Sequence, residues 1–364
     1  MRLTPLAAGL PATVPFVGPE TQERAMGRRF AARLGANGSV FGASPDAIAA
    51  MAAAAAEAWQ YGDPEMHDLK AALAAHHGVA PANVVVGEGI DGLLGNLVRL
   101  LVAEGTPVAT SAGASPTFAY HVAGFGGRLV TVPYRDDAED PEALLLAARR
   151  AGAPLVYLAN PDNPMGSWLP AARIAEMVAR LPGDAVLCLD EAYADFAPPD
   201  AIPPVDPNEP RVIRMRTFSK AHGMAGARVG YAIAHADLAA AFDRVRNHFG
   251  VGRIAQAGAL AALADRGWLG KVVAEVAAAR ASIAAIAEAN GLVALPSATN
   301  FVTIDCGRDG GFARAVLDGL VARGVFVRKP SVAPQDRCIR VTAGRPEDLA
   351  VLAAALPEAL AAAQ

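Results

Sequence analysis

The sequence predicts an α/β fold: a mostly parallel sheet with helices on both faces in a large domain, followed by a smaller α+β domain. Three observations carry this. Short continuous apolar runs such as Val84–Val86, Leu155–Ala159 and Ala185–Leu189 alternate with helical segments from about residue 84 to 234, the pattern of strands buried on both faces. The chain has 364 residues, 53% hydrophobic and 19% charged, which suits about two packed cores and is too apolar for disorder. After about residue 245 the texture changes to long alanine-rich helices with fewer strand-like runs.

Residues 1–43 are punctuated by Pro and Gly, with a helical stretch expected near Glu23–Leu34 and an irregular arm from Leu34 to Gly42. Ser44-Pro45-Asp46 reads as a helix start, with a capping hydroxyl, Pro at the first position and an acid in the first turn. This helix is expected to reach Trp59, and a second one spans Met66–His77 before Gly78. Strand Val84–Val86 leads through a Gly-rich turn, Gly87–Gly92, into an apolar helix to Val102. Strand Pro107–Thr110, a helix opened by Pro116, strand Arg128–Pro133 and helix Pro141–Ala151 follow. Strand Leu155–Ala159 ends in Asn160-Pro161-Asp162-Asn163-Pro164, and strand Ala185–Leu189 ends in Asp190-Glu191-Ala192-Tyr193 after a helix around Ala171–Leu181. A strand from Val212 runs into Thr217–Lys220, and Val229–Ala234 is the next. Beyond it the chain reads as helices Ile254–Ala264, Trp268–Ala289 and Gly311–Arg323, strands Asn300–Ile304, Val325–Arg328 and Cys338–Val341, and a last helix from about Arg345. The expected division is an N-terminal arm, 1–43, that joins the small domain; a large domain, 44–245; and a small C-terminal domain, 246–364.

The net charge of −4 gives no electrostatic reason to expect nucleic acid or an anionic membrane as partner. No stretch approaches the roughly 20 apolar residues of a membrane span, and the Pro-rich start does not read as a signal peptide. Cys188, Cys306 and Cys338 are far apart in apolar runs, which suggests buried thiols in a reducing compartment and no metal site. A cytoplasmic protein is expected.

In a parallel α/β sheet, ligands bind beyond the carboxyl ends of the strands. Gly89-Ile90-Asp91, Phe118, Asn163, Asp190 with Tyr193, and Thr217 through Lys220 all fall at such ends. Lys220 stands beside Phe218 and small residues, with Arg228 eight positions on. Desolvation and a neighbouring cation both lower a lysine's pKa, as a lysine that must bond a carbonyl requires. Thr217, Ser219 and Arg228 suit an anionic group such as a phosphate. The Gly-rich turn before Ile90 offers free N–H groups at a helix start, or is simply a tight turn; GxGxxG and GxxxxGK[ST] are both missing. Asp190 is either a helix cap or the partner of a protonated ring nitrogen. Tyr193 and Asn163 suit a ring hydroxyl, although Asn163 equally suits a turn before Pro164. Phe118 is a core residue or a stacking platform. Together these groups describe a receptor for pyridoxal phosphate.

In RTFSKAHGMAGARVGY, NPDNPMG and DEAY, in a chain where the likeness runs from Asn37 to Arg340 and beyond, the sequence resembles the class I/II aminotransferases. These are fold-type I pyridoxal-phosphate enzymes, and the likeness is strongest to the histidinol-phosphate aminotransferase-like branch. The resemblance implies that residues 44–245 bind the cofactor, that Lys220 bonds its aldehyde and shuttles a proton to and from the substrate α-carbon, and that Asp190 keeps the pyridine nitrogen protonated. It implies that Tyr193 and Asn163 bind the ring hydroxyl and that Phe118 stacks on the ring. Gly89, Ile90 and Asp91 would form the phosphate turn with Thr217, Ser219 and Arg228. Tyr61 matches a tyrosine that reaches the neighbouring subunit's cofactor, which implies a homodimer. Arg340 matches the arginine that clamps the substrate carboxylate, Asn300 lies in a matching Asn-Phe pair, and Asn37 lies in an arm that touches substrate.

The sequence departs from the family at Gly38-Ser39-Val40, where the arm usually continues Glu-Asn-Pro, and at Ile90 and Gly92, where the phosphate turn usually has Ser and Glu. Phe249 stands where relatives often have a hydroxylated aromatic. Arg253 and Arg328 are candidates for a second anionic group, or are capping and solvent-facing arginines. The reading is an aminotransferase acting between an amino acid or amino alcohol phosphate, histidinol phosphate-like or aromatic, and a 2-oxo acid such as 2-oxoglutarate. A pyridoxal-phosphate α-decarboxylase of the threonine-phosphate decarboxylase type is the alternative.

Overall fold

The computed structural model describes residues 1–12 and 17–364; residues 13–16 of the expected arm lie outside them. Seven strands form the central sheet: β1 Val84–Gly87, β2 Pro107–Ser111, β3 Arg128–Val132, β4 Leu155–Ala159, β5 Val186–Asp190, β6 Val212–Thr217 and β7 Gly230–Ala234. All residues of β1, β4, β5 and β7 are buried, so their unbroken apolar runs are covered on both faces. The order is β1-β7-β6-β5-β4-β2-β3. Only β7 runs antiparallel to its neighbours. The chain therefore delivers the carboxyl ends of β4, β5 and β6, and the helix Gly89–Leu101 that follows β1, to one edge of the sheet.

The helix at Pro45 starts as its residues dictate, with Ser44 Oγ accepting from the Ala47 amide at 3.1 Å, but it ends at Ala55, short of Trp59. The stretch expected as helix Glu23–Leu34 divides in two. The helix is Pro19–Met26, and Gly27 at φ 67° stops it in the left-handed region. Phe30, Ala32 and Leu34 are then buried alternately, a period of two, and Ala32–Arg33 pairs in parallel with Val325–Phe326.

A second, antiparallel sheet places Phe301–Asp305 between Val293–Ala294 and Cys338–Thr342. Its core joins Ile304, Val341, Val276, Val316 and Leu352 with Ala32 and Leu34 of the arm. Helix Arg253–Ala264 lies past residue 245 yet packs on Pro45–Ala55 beside the large sheet. Ala255 and Ala259 share a core with Ala47 and Met51, and a Cβ at Gly258 would sit 2.5 Å from Met51 Cγ. The arm and the turn after Lys220 also meet closely: Gly223 has φ +68°, and a Cβ there would lie 2.1 Å from the Gly42 carbonyl oxygen. Cys188, Cys306 and Cys338 are free and buried. Among the described residues no helix is long and apolar enough to cross a membrane.

Candidate active site

A cavity of about 320 Å³ opens at the carboxyl ends of β4, β5 and β6. A lobe of about 530 Å³ adjoins it, lined by Asn37, Arg328 and Arg340. Asn163, Tyr193 and Lys220 line both, so the two form one site with an inner and an outer part.

β6 ends at Thr217, whose Oγ1 accepts from the Ser219 amide at 3.0 Å and folds the chain into a turn that presents Lys220. Lys220 Nζ donates to the Asn37 carbonyl at 3.0 Å and stands 5.5 Å from the centroid of the Tyr193 ring. Burial first, then the Arg340 guanidinium, pulls its pKa down to about 8, with Arg228 acting in the same direction and Asp190 opposing. A lowered pKa leaves more neutral amine at a given pH, and the neutral amine is the nucleophile. The rate at which the apoprotein captures pyridoxal phosphate should therefore rise with pH up to about 8 and level off above it. An ordinary lysine would keep the rate climbing to about pH 10. Stopped-flow absorbance across this range measures the profile, and a midpoint near 10 would contradict the assignment.

Asp190 ends β5. Its Oδ2 accepts from the Tyr157 hydroxyl at 2.6 Å and its Oδ1 from the Ala192 amide at 3.0 Å. Burial raises its pKa, opposed by these two bonds and by Lys220. Tyr193 accepts from Asn37 Nδ2 at 3.0 Å, which leaves its own O–H free to donate, and burial holds its pKa up at about 12. Asn37 is fixed at φ 54°. Its amide donates to Thr342 Oγ1 at 3.1 Å, Thr342 donates back to Asn37 Oδ1 at 3.0 Å, and its carbonyl also accepts from Asn300 Nδ2 at 3.1 Å.

Arg340 Nη1 donates to Asn163 Oδ1, and its guanidinium lies 5.1 Å from the Phe301 ring centroid. Arg340 Nε is buried with no hydrogen-bond partner. Arg340 and Arg328 are tied through the backbone, with the Arg340 amide donating to the Arg328 carbonyl at 2.6 Å. Arg328 Nη2 donates to the Val17 carbonyl at 2.6 Å.

At the start of helix Gly89–Leu101, Gly89 takes φ +74°, and a Cβ there would meet Arg228 Nη2 at 2.7 Å. Glycine thus lets the turn and the guanidinium approach. Arg228, itself at φ 56°, donates to the Glu88 carbonyl at 3.4 Å and the Ala225 carbonyl at 3.1 Å. Ile90, Asp91, Thr217 and Ser219 line the inner cavity. Asp91 lies 2.7 Å from His121 Nε2, a bond that lowers its pKa.

Four expected residues line neither lobe: Gly89, which stands at the turn behind Ile90, and Phe118, Arg253 and Tyr61. Phe118 is buried in the core, its ring stacked at 4.5 Å and 20° on Tyr157. The aromatic wall of the inner cavity is therefore Tyr157, and Phe118 backs it. Arg253, expected as a substrate residue, heads its helix away from the cavity and donates to Glu57 Oε2 at 3.3 Å and the Tyr61 carbonyl at 3.1 Å. Tyr61 is 78% exposed, with its ring 4.8 Å from that of Phe249. Tyr157, Thr342 and His121 were not anticipated. The only signal for Tyr157 was a hydroxyl inside an apolar strand, which always needs a partner.

A dry amine poised near neutrality, a buried carboxyl at the neighbouring strand end and a helix start with an adjacent guanidinium suit one group. The aldehyde of pyridoxal phosphate needs a neutral amine, its pyridine nitrogen an anionic partner and its phosphate the backbone N–H groups. Fold and site together define a pyridoxal-phosphate-dependent transferase. Residues 32–356 match the family described as aminotransferase class I and II, and the chain belongs to that family. It is 38% identical over 336 residues to histidinol-phosphate aminotransferase 2 of Ralstonia nicotianae, covering 91% of this chain and 89% of that one. It is 34% identical over 355 residues to the histidinol-phosphate aminotransferase of Moorella thermoacetica, covering 96% and 90%. The crystal structure of histidinol-phosphate aminotransferase from Sinorhizobium meliloti in complex with pyridoxal-5'-phosphate superimposes with a TM-score of 0.96 at 55% identity, covering 99% of this chain and 98% of that one.

Proposed function

We propose that this aminotransferase takes the amino group of histidinol phosphate, or a close amino alcohol phosphate, and passes it to a 2-oxo acid such as 2-oxoglutarate. The observation that carries this reading is the outer lobe, where Arg340 and Arg328 are held side by side by a shared backbone bridge. A planar guanidinium fork suits a carboxylate, and a phosphate dianion gains from a second cation beside it. One lobe thus serves the carboxylate of the oxo acid and the phosphate of the amine donor in turn.

Bound pyridoxal phosphate supplies an aldehyde and an electron-accepting ring. In this reading Lys220 would hold the cofactor aldehyde, and its free amine would move a proton from and to the reacting carbon as a base of pKa near 8. Asp190, kept dry against Tyr157, would partner the ring nitrogen, while the Tyr193 O–H and Asn163 would hold the ring hydroxyl. Gly89, Ile90, Asp91, Thr217, Ser219 and Arg228 hold the phosphate. Asn37 seats the Lys220 amine through its carbonyl and orients Tyr193 through its side chain.

The test is an absorbance titration of the holoenzyme with histidinol phosphate, phenylalanine and tyrosine, followed by 2-oxoglutarate. Conversion of the cofactor to its amine form by histidinol phosphate, reversed by 2-oxoglutarate, is expected. Conversion by the aromatic amino acids alone would assign the donor to them. Carbon dioxide release from threonine phosphate without any oxo acid would replace transamination by decarboxylation.

The proposed division of the chain is arm 1–43, cofactor domain 44–245 and small domain 246–364, with helix Arg253–Ala264 accompanying the cofactor domain it packs on. The proposed assembly is a homodimer in which Tyr61 reaches the partner's phosphate, supported by the exposed Tyr61–Phe249 pair. Tyr61→Ala should weaken cofactor binding about tenfold or more, as loss of a bond to a charged group implies. Mixing Tyr61→Ala with Lys220→Ala subunits should then restore roughly a quarter of wild-type activity, since half the symmetric dimers are hybrid and one of their two sites is intact. No recovery after mixing would place Tyr61 outside the partner's site. The proposed compartment is the cytoplasm, in keeping with three buried thiols; cell fractionation tests it.

A further inference from the structure

Helix Gly89–Leu101 has an open start. Glu88, at its cap position, makes no side-chain hydrogen bond to it, and position 90, an isoleucine, offers no hydroxyl. The third residue of the helix, Asp91, lines the inner cavity. A carboxylate in the first turn of a helix is drawn to the free N–H groups there. Asp91 is therefore a rival for any anion that this turn is to hold.

The carboxylate is held elsewhere. Its Oδ1 lies 2.7 Å from Nε2 of His121, on helix Pro116–Gly124. That bond lowers the Asp91 pKa, so the carboxylate is ionised and can only accept. The shared proton therefore sits on His121 Nε2. His121 lines neither lobe, and the bond ties the carboxylate to the neighbouring helix instead of its own N–H groups. The fit is built on both sides. Gly95 lies one turn beyond Asp91, inside the helix, where glycine is less favourable than alanine. A Cβ at Gly95 would stand 2.9 Å from His121 Cε1 and 3.0 Å from Nδ1. The imidazole occupies the space that a larger residue would take.

We infer that His121 is a positioning residue for cofactor binding: by holding Asp91 it keeps the helix start open to the phosphate. The inference rests on the reading of this turn as the phosphate seat. Without the imidazole, the carboxylate turns back to its own N–H groups, competes with the phosphate for them and repels it. The aldehyde end of the cofactor, at Lys220, is left alone, so the loss is confined to ligands that carry a phosphate.

Equilibrium dialysis of the full chain, freed of cofactor, against pyridoxal phosphate and against pyridoxal measures the preference for the phosphorylated ligand. His121→Ala should weaken pyridoxal phosphate about tenfold, the scale of one unmatched like charge beside it, and leave pyridoxal within about twofold. His121→Gln, whose amide still donates, should keep most of the preference. Asp91→Asn removes the rival charge and should make the histidine dispensable, so adding His121→Ala to it should change neither constant. An unchanged preference in His121→Ala, an equal loss for both ligands, or the same loss in the Asp91→Asn background would each overturn the role of His121 alone. A wild-type protein with no preference for the phosphorylated ligand would remove the phosphate seat from this turn, and this inference with it.

Discussion

Lys220→Ala is expected to lower transamination turnover by at least about four orders of magnitude, the upper range for removal of a positioned general base. No other side chain takes over. Lys220 is the amine of the inner lobe, whereas Lys329 lines only the outer one and its Nζ lies 4.0 Å from Asp336; the seat on the Asn37 carbonyl fixes the Lys220 amine over the Tyr193 ring. The other residues proposed to hold the cofactor are untouched by the change, because Asp190 is held by Tyr157 and Ala192 and Arg228 by the Glu88 carbonyl. Equilibrium dialysis should therefore show pyridoxal phosphate still binding, while single-turnover absorbance with histidinol phosphate shows almost no conversion. A loss of less than about a hundredfold, within reach of a mere positioning effect, would remove Lys220 from proton transfer.

Glu191→Ala is expected to destabilise the fold by about 3–5 kcal/mol, the range for breaking a buried ion pair from one side. The Glu191 side chain is wholly buried and is the carboxylate for both Arg214 and Arg216. Truncating it strands two guanidiniums in the interior, with Arg214 already lacking a partner at Nη1. Thermal or urea unfolding of the holoenzyme measures the loss. Glu191→Gln, which keeps an acceptor oxygen but no charge, should fall between. A change under about 1 kcal/mol in Glu191→Ala, the scale of an exposed pair, would show that water already reaches these guanidiniums.

Much of the site was legible because a parallel sheet sends its strand ends to one edge, so Asp190, Asn163 and Lys220 could be grouped by position alone. What was not legible depends on which way side chains turn. Phe118 and Tyr157 are both aromatic and both near strand ends or helix starts, and only the packing decides that Tyr157 faces the cavity and Phe118 stands behind it. Arg253 looked available because the residues that engage it, Glu57 and Gln60, belong to a segment almost 200 positions earlier. The Ala32–Arg33 strand was hidden by the neighbouring helix, although the alternation of Phe30, Ala32 and Leu34 carried the signal. Arg214 and Arg216 were similarly overlooked, as charges inside an apolar run whose partner sits on the adjacent strand's exit.

The arm that seats Lys220 carries a consequence for how the protein is made. Its strand pairs with Val325–Phe326, and the Asn37 amide bonds to Thr342, 305 residues further on. On a translating ribosome the arm emerges 305 residues ahead of Thr342, an interval of roughly 15–60 s at ordinary elongation rates. A nascent chain can thus complete the large sheet and present Lys220 while the amine still lacks its seat. Competence arrives only once Val325–Phe326 and Thr342 have been released, so a product that stops before them is inert by construction. The arm, made before the large sheet, closes the site after it.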